Sequence, residues 1–551
     1  MKKTILAIVL LAILGGLGYY LIRTYGPADP SRYLPDNTIA YAAFTDLPRS
    51  ARRWQDTELS KIANEPSVRD FLKVPLEKLG EAGKNEAEAI LRDIKPSRMF
   101  GAITSIGSTQ ISWVGGFQYY GSHKSLQHAL DRLRQQFDAG HPAIEHTVSQ
   151  YEGVEITKTQ HGELTLFTTS KGVWCVLSND EKTIHDTLDR LAGRNTSPAL
   201  VKNAEFQKGL DQLPKEADFV SFVNASPILE TLLAVGKTMN AIPNPYQLEQ
   251  IRKIKSLTAS FKIDGPLLRD SCFIQTDETP SGKFEHRTVQ YTSPDTLLYY
   301  SSLAKWPNMK DNMNSFIPPN IYHILVEQHL DSVNLSEIFG PEIGFSLSWP
   351  QASFTPEVLI AIPLVNSDAA KKLIETVSAS VLPQMVVTED ANAHYYSAPS
   401  VNGIAIINPT LAITRDFLLF GMSDTAVHAS AAKTPDSPNL ESSADFQSIK
   451  SIYQDANEAF GYIDSKRVFE RTYNALKPVI SFGTALMPMI GQYVDTSKLP
   501  DSSAITSHLT PITIYQRRVQ GGVYMESAGP LTLNQLLLVG GGAGWFFSPK
   551  H

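Results

Sequence analysis

The residues of this chain that could do chemistry are few and poorly grouped. Five of its 13 histidines, His123, His128, His141, His146 and His161, fall between positions 123 and 161. His-x-x-x-x-His spacing occurs twice, at 123/128 and 141/146. Five residues on a helix turn through about 500°, so the members of such a pair sit roughly 140° apart and do not converge on one ion. His-Glu-x-x-His, which would place two imidazoles on one helix face with a general base beside them, does not occur. His123, His128, His141 and His146 are therefore weak metal ligands by spacing, and no cofactor is called for.

Nucleophile and phosphate motifs fare no better. There is no Gly-x-Ser-x-Gly elbow. Ser430-Ala-Ala-Lys433 fits the Ser-x-x-Lys pattern of penicillin-binding enzymes, but the companion Ser-x-Asn and Lys-Thr-Gly are missing, and Lys433-Thr-Pro435 is no substitute. Gly80-Glu-Ala-Gly-Lys84 is too short to cradle a phosphate as a P-loop does. The two cysteines, Cys175 and Cys272, lie in strand-like runs. They would form a disulfide if their α-carbons came within roughly 7 Å; otherwise they are two small buried apolar side chains. No catalytic residue is nominated, which leaves a non-enzymatic module as the expectation. An envelope hydrolase with a site assembled from distant residues stands as the alternative.

The elements that would position these residues recur. Asp218 to Glu230 and Glu458 to Glu470 share a strand, a polar turn and a helix start, and Ala204-Glu-Phe206 matches Ala444-Asp-Phe446 just upstream. Val176 to His185 aligns with Leu419 to His428, so His185 and His428 fall at corresponding places, where packing or capping is the expected role. Gly121 to Leu126 aligns with Asn366 to Lys371, Phe100-Gly101 with Phe339-Gly340, and Asp36 to Tyr41 with Pro294 to Tyr299. The blocks keep their order, with drifts that loop insertions would cause.

Strands are expected over 110–120, 164–178, 356–364, 403–407 and 411–421, and helices over 122–138, 182–191 and 368–381. Leu126, Leu130, Leu133 and Phe137 mark one face of the first helix. Antiparallel hairpins with helices between them read as an α+β fold, one unit in two tandem copies over residues 31–282 and 283–528, meeting at the turn-rich 278–283.

Both ends seek a membrane. Lys2 and Lys3 precede an uncharged apolar run from Thr4 to Ile22, about 28 Å as a helix and so close to a bilayer's hydrocarbon thickness. Residues 1–23 read as an uncleaved signal anchor with a cytoplasmic N-terminus, residues 24–30 as a linker, and the body as periplasmic or otherwise extracytoplasmic. No cysteine follows the run, so it is not a lipoprotein signal. Residues 529–551 form an apolar tail whose uncharged stretch 531–547 is short for a span, and a second membrane segment stays open beside a tail tucked against the body.

Composition agrees with a packed, exported body. Of 551 residues, 42% are hydrophobic and 19% charged, and 49 basic against 56 acidic residues give a net charge of -7. That charge argues against a general nucleic-acid binder. The opening Leu34-Pro-Asp-Asn-Thr-Ile-Ala-Tyr-Ala-Ala-Phe44, and Tyr151-Glu-Gly-Val-Glu155 with a following strand and Ser178-Asn-Asp-Glu181, resemble the bacterial domain-of-unknown-function family 3352. The resemblance implies a membrane-anchored envelope protein and supplies no catalytic residues. The expected partners are the membrane and an envelope protein, lipid or cell-wall component, in a binding or envelope-assembly role, with a lipid-handling or transport accessory as a further alternative.

Overall fold

The computed structural model describes residues 29–74, 94–107, 110–140, 144–238, 251–277, 282–304, 333–350, 356–381, 385–399, 408–486 and 495–535, with isolated positions between them. The first ten strands are β1 (Ala40–Phe44), β2 (Pro96–Ile106), β3 (Ile111–Tyr119), β4 (Glu145–Tyr151), β5 (Val154–His161), β6 (Leu164–Lys171), β7 (Trp174–Ser178), β8 (Phe219–Asn224), β9 (Ile254–Asp264) and β10 (Leu267–Thr276). The next are β11 (Thr296–Leu303), β12 (Glu342–Ser348), β13 (Glu357–Pro363), β14 (Val386–Glu389), β15 (His394–Ser397), β16 (Thr410–Ile413), β17 (Phe417–Gly421), β18 (Ala459–Ile463), β19 (Ile512–Val519) and β20 (Gly522–Gly529).

Every pairing among them is antiparallel, and the pairings join all twenty into one sheet. From one edge the order is 4-5-6-7-3-2-1-8-9-10. From the other it is 14-15-16-17-13-12-11-18-19-20. The two runs meet at a seam of β10 against β20, paired from Leu268↔Gly529 to Gln275↔Gly522.

The helices are α1 (Leu47–Trp54), α2 (Glu58–Asn64), α3 (His123–Gly140), α4 (Glu181–Leu191), α5 (Ala204–Gln212), α6 (Ala225–Thr238), α7 (Ser367–Val381), α8 (Asp424–Ala431), α9 (Ala444–Ser448), α10 (Lys450–Asp455), α11 (Ser465–Leu486) and α12 (Ser502–Thr506). Several start on side-chain caps, which satisfy amide N–H groups that have no partner within the helix. Asp180 accepts from the Thr183 N–H at α4, and Ser423 from the Ala426 N–H at α8. Asn203 caps α5 through the Phe206 N–H, and Ser443 caps α9 through the Phe446 N–H.

Period-two alternation sends side chains to both faces. In β7, Trp174 and Val176 join a core with Ile184 and Leu188 of α4, while Cys175 packs with Leu126 and Ala129 of α3. In β17, Phe417 and Leu419 meet Val427 of α8, while Leu418 joins Ala370 and Leu373 of α7. Burial on both faces is why these strands read as unbroken apolar runs.

Several sequence expectations change. The long strand expected over 164–178 is two strands, turned at Gly172 with φ 60°, a left-handed conformation that suits glycine. The 411–421 run likewise divides into β16 and β17. Phe100-Gly101 lies inside β2, whereas Phe339-Gly340 precedes β12, so the two Phe-Gly pairs are not counterparts. Among the described residues no helix is long and apolar enough to cross a membrane. The 4–22 run, the end of the tail from 536, the expected strand 403–407 and positions 278–281 of the expected boundary lie outside those residues.

The seam carries a polar cluster as well as backbone bonds. Glu526, 6% exposed, accepts from the Ser271 hydroxyl at 3.2 Å and forms an ion pair with Arg269, which also reaches Asp264 at 3.0 Å. Beside it, His508 Nδ1 lies 2.9 Å from Glu58 and Nε2 lies 3.0 Å from Glu65. The bond to Glu65, then that to Glu58, raises the His508 pKa against the opposing effect of burial.

Candidate functional site

A cavity of about 510 Å³ opens between α3 and the β5–β6 hairpin. The helix contributes His123, Gln127, Leu130 and Arg134 to it. The strands contribute Glu155, Thr157, Thr168, Ser170 and Lys171. Thr157 faces Thr168 directly, and Ser170 faces Cys175, so Thr157, Thr168 and Ser170 share the sheet face that α3 covers, while Lys171, opposite Trp174, stands on the other face at the cavity's rim. Thr169, between them, points to the opposite face, and its hydroxyl donates to the Glu155 carbonyl at 2.7 Å.

Much of the lining keeps unused hydrogen-bonding capacity. Among the described residues, Lys171 and the hydroxyls of Thr157, Thr168 and Ser170 have no side-chain partner. Arg134 gives one guanidinium nitrogen to Asp131 at 3.3 Å, and His123 Nε2 lies 3.5 Å from the Gln127 amide nitrogen. A second cavity, of about 430 Å³, lies beside α11. Its Arg467 is consumed by Asp464 at 3.2 Å and Asp295 at 3.3 Å.

The same face of β15 and β16 looks quite different. Tyr396 and Ile413, 1% and 3% exposed, pack with Ala370, Leu373, Ile374 and Val377 of α7 and with Leu411. The Tyr396 hydroxyl lies 3.4 Å from Glu375, and burial, helped by that carboxylate, pushes the phenol up to about 12. Lys371 Nζ lies 3.2 Å from His394 Nε2.

The histidines singled out by spacing do not form a centre. His123 lines the cavity, and His128, five residues on, is exposed. His146 is held elsewhere, with Nε2 3.1 Å from both carboxylate oxygens of Asp138 and Nδ1 3.0 Å from the Thr159 hydroxyl. His141 lies outside the described residues. No group of three metal-ligating side chains gathers among the described residues.

Cys175 and Cys272 are free thiols, which corrects the disulfide alternative. They stand on β7 and β10, with β3, β2, β1, β8 and β9 between them. At about 4.8 Å per step across a sheet, that separation far exceeds a disulfide's reach. Burial pushes Cys175 up to about 12 and Cys272 up to about 11.

His185 and His428 do share a contact. His185 stacks on Tyr151 at 3.8 Å between ring centroids, and His428 on Tyr395 at 3.7 Å. The Tyr151 hydroxyl donates to Asp189 at 2.9 Å and the Tyr395 hydroxyl to Asp390 at 3.1 Å. Tyr151 ends β4 while Tyr395 sits in β15, so one packing solution is assembled from different strands. Ser430 is buried, and the Lys433 ammonium donates to the carbonyls of Tyr291 and Thr292. That fixes the lysine as a structural tie between α8 and the loop before β11.

Sequence reasoning missed two polar assemblies. One is the cleft, apart from His123. The other is buried around Glu342, which accepts from the Arg287 and Thr288 N–H groups at 3.0 Å each, from the Thr288 hydroxyl at 2.7 Å and from Ser301 at 2.9 Å. This carboxylate is satisfied within the protein and has no capacity directed at a ligand. For the cleft a signal existed: hydroxyls in β5 and β6 where β15 and β16 carry tyrosine, leucine and isoleucine.

The family described as "Protein of unknown function (DUF3352)" matches residues 122–492. The match takes in more than half of the chain, which belongs to that family. Among solved structures, crystal form III of TP0453 is similar at 9% identity and a TM-score of 0.27, over 48% of this chain and 84% of that one. Crystal form I of TP0453 is similar at 8% identity and a TM-score of 0.26, over 46% and 81%. No curated protein matches the chain.

Proposed function

We propose that this member of the DUF3352 family is a membrane-tethered, extracytoplasmic binding module made of one α+β unit used twice, in which the first copy carries the binding cleft and the second serves as scaffold. The apolar 4–22 run supports the tether, and the lysines before it support the orientation. Strand order and register support the doubling. Starting from Val176 against Leu419, the register leads strand by strand to Val220 in one run and Phe460 in the other, and these pair onward as Val220↔Ser260 and Phe460↔Tyr515. Continuing through Ser260↔Ser271 and Tyr515↔Glu526 makes Ser271 the counterpart of Glu526. These two residues face each other across the seam. A residue opposite its own counterpart is what a two-fold axis produces, as in an isologous dimer.

The observation that carries the binding reading is the asymmetry between the copies. Val176 and Leu419 are counterparts, so Thr169 on β6 corresponds to Ala412 on β16, and Ile156 on β5 to Tyr395 on β15. Thr157, Thr168 and Ser170 then stand where the second copy has Tyr396, Leu411 and Ile413. One copy fills this space with apolar side chains, and the other leaves it open, polar and unsatisfied. Retaining an open polar space at a place where the same fold packs apolar side chains forgoes burial energy, and ligand binding is the use that space supports.

The test is to close the cleft with the second copy's residues. A full-length Thr168→Leu, Ser170→Ile chain should fold with unchanged or higher stability and reach the membrane. It should lose ligand-dependent protection of α3 from hydrogen exchange in native membranes. Protection of α3 that is the same in both chains would count against the reading.

A further inference from the structure

We propose that the body rests against its bilayer with one end of the sheet, the end at which β1, β3, β9 and β20 finish, and that aromatic and apolar side chains exposed there enter the lipid head-group layer. The inference rests on the tether proposed above and adds the surface that faces the membrane.

The strand register defines this end. One cross-strand row joins Met99, Phe44, Phe219, Phe261, Asp270 and Ser527 over β2, β1, β8, β9, β10 and β20. Phe44 is the last residue of β1, and β20 finishes two residues past Ser527.

Both membrane-seeking ends of the chain meet the body at this row. Tyr33, four residues after Asp29, packs edge-on against Trp174 with 5.7 Å between ring centroids. Trp174 pairs with Gln118, one residue beyond Phe117, the partner of Met99. Only residues 24–28 separate the anchor 1–23 from Asp29, and five residues span at most roughly 18 Å. This end of the body is therefore held close to the bilayer. At the other terminus the chain turns back after β20. The Leu533 N–H donates to the Ser527 hydroxyl oxygen at 2.9 Å, and the Thr532 and Asn534 side chains stand beside Asp270. Thr532 and Gln535 cap each other: the Thr532 N–H donates to the Gln535 carboxamide at 3.1 Å, and the Gln535 N–H to the Thr532 hydroxyl at 3.4 Å. The uncharged stretch 531–547 thus starts from the same row.

The side chains exposed at this end suit a lipid interface. Phe44 and Met99 are register partners, 41% and 42% exposed. Tyr120, just after β3, is 57% exposed. Trp54, 39% exposed, closes α1, which packs on β2 and β9 beneath the strand ends. The chain then reaches the β9–β10 turn, where the Glu58 N–H donates to the Pro266 carbonyl at 2.9 Å. The second copy adds α11, which follows β18 where Ile463 pairs with Ile512, and Leu476 and Val479 of that helix are exposed. A single exposed apolar side chain needs no explanation. Tyrosine, tryptophan and phenylalanine gathered where the chain leaves for the membrane are what the head-group layer accommodates. Charge adds little: Arg53 is matched by Glu216 and Asp218, Lys498 by Asp70, and Arg467 by Asp464 and Asp295. The contact should therefore form on neutral lipid and resist salt.

The experiment uses the full-length chain, with Cys175 and Cys272 replaced by alanine, in phosphatidylcholine nanodiscs. Arg52→Cys and Lys95→Cys place a polarity-sensitive fluorophore at the proposed contact, Leu164→Cys places one at the opposite end of the sheet, and Ile13→Cys places one in the apolar run. Labels at 52 and 95 should shift to the blue and lose most of their emission to a nitroxide lipid at head-group depth, in low and high salt alike. The label at 164 should do neither. Phe44→Ser with Trp54→Ser should restore the emission at 95, and Met99→Ser should restore part of it. Equal quenching at 95 and 164 would overturn the proposal. So would labels at 52 and 95 that are shielded from water but not quenched by lipid, since protein would then cover this end. In either case a label at 13 quenched by a mid-chain nitroxide keeps the tether. No quenching at 13 would overturn the tether, and this inference with it.

Discussion

The hairpin β5–β6 under α3 and the hairpin β15–β16 under α7 occupy the same place in the strand order, yet one is a cavity and the other a core. Leu126 and Ala370, each fully buried, anchor the two helices alike one turn after their caps. Beyond that turn the outcomes diverge. Tyr396, Leu411 and Ile413 pack against α7, whereas Thr157, Thr168 and Ser170 are shorter side chains and leave an open cavity beside α3. Similar strand pairing can therefore be kept while three or four side chains decide whether a face becomes a packed core or an open cavity.

The comparison can be broken most forcefully from the filled side. Tyr396→Ala should cost about 3–5 kcal/mol of unfolding free energy, as large aromatic truncations in cores do. Its counterpart Thr157→Ala should cost less, about 1 kcal/mol, because it removes only a methyl group and a hydroxyl without a hydrogen-bond partner from a buried position beside the cavity. Chemical denaturation of both variants checks the pair, and equal costs would remove the distinction. Next in size is the seam that joins the halves. Arg269→Ala leaves Glu526, 6% exposed, without its cation. That should destabilise the chain by about 3 kcal/mol or more, whereas Arg269→Met with Glu526→Gln should recover much of the loss.

A smaller effect sharpens the comparison from the open side. Thr168→Leu with Ser170→Ile buries new apolar surface and should raise stability by up to about 1 kcal/mol if the cleft closes as its counterpart does. A loss greater than that in a denaturant titration would mean that α3 cannot seat as α7 does. The smallest effect is a pH dependence at the clamp beside the seam. His508 is held above its ordinary 6.5 by Glu65 and Glu58. Its contribution is therefore complete below pH 6.5 and is lost as the pH climbs through the raised value. Glu58 is lowered below 4.5: burial works against this, and Lys61 and His508 outweigh it. Its share is therefore complete above pH 4.5 and is lost as the pH falls through the lowered value. His508→Gln should flatten the stability profile above pH 6.5, and an unchanged profile would remove the clamp.

What could be read from the sequence was whatever leaves a local mark. The caps Asp180 and Ser423 and the apolar runs of β7 and β17 are short-range signals, and they gave the α+β class. The antiparallel seam was not legible, because Ser271 and Glu526 are brought together across 255 residues of chain with nothing in either strand to announce it. The turns at Gly172 and at Asp416 between β16 and β17 carried a local mark, Ser170-Lys171-Gly172 and Thr414-Arg415-Asp416, which the strand-like residues around them outweighed. Spacing placed His123 in a metal set, although its neighbours in space are Gln127 and the β6 hydroxyls. The cleft itself is a difference in side-chain size between two hairpins, and no single strand shows it until the two are set side by side.

The most direct test compares solvent access at counterpart positions. In a full-length chain with Cys175 and Cys272 replaced by alanine, Ser170→Cys and Ile413→Cys put one thiol on each matching face. Under native conditions a maleimide should label position 170 rapidly and position 413 slower by roughly hundredfold or more, since labelling there must await local opening. Comparable rates at the two positions would contradict the division into an open copy and a filled one.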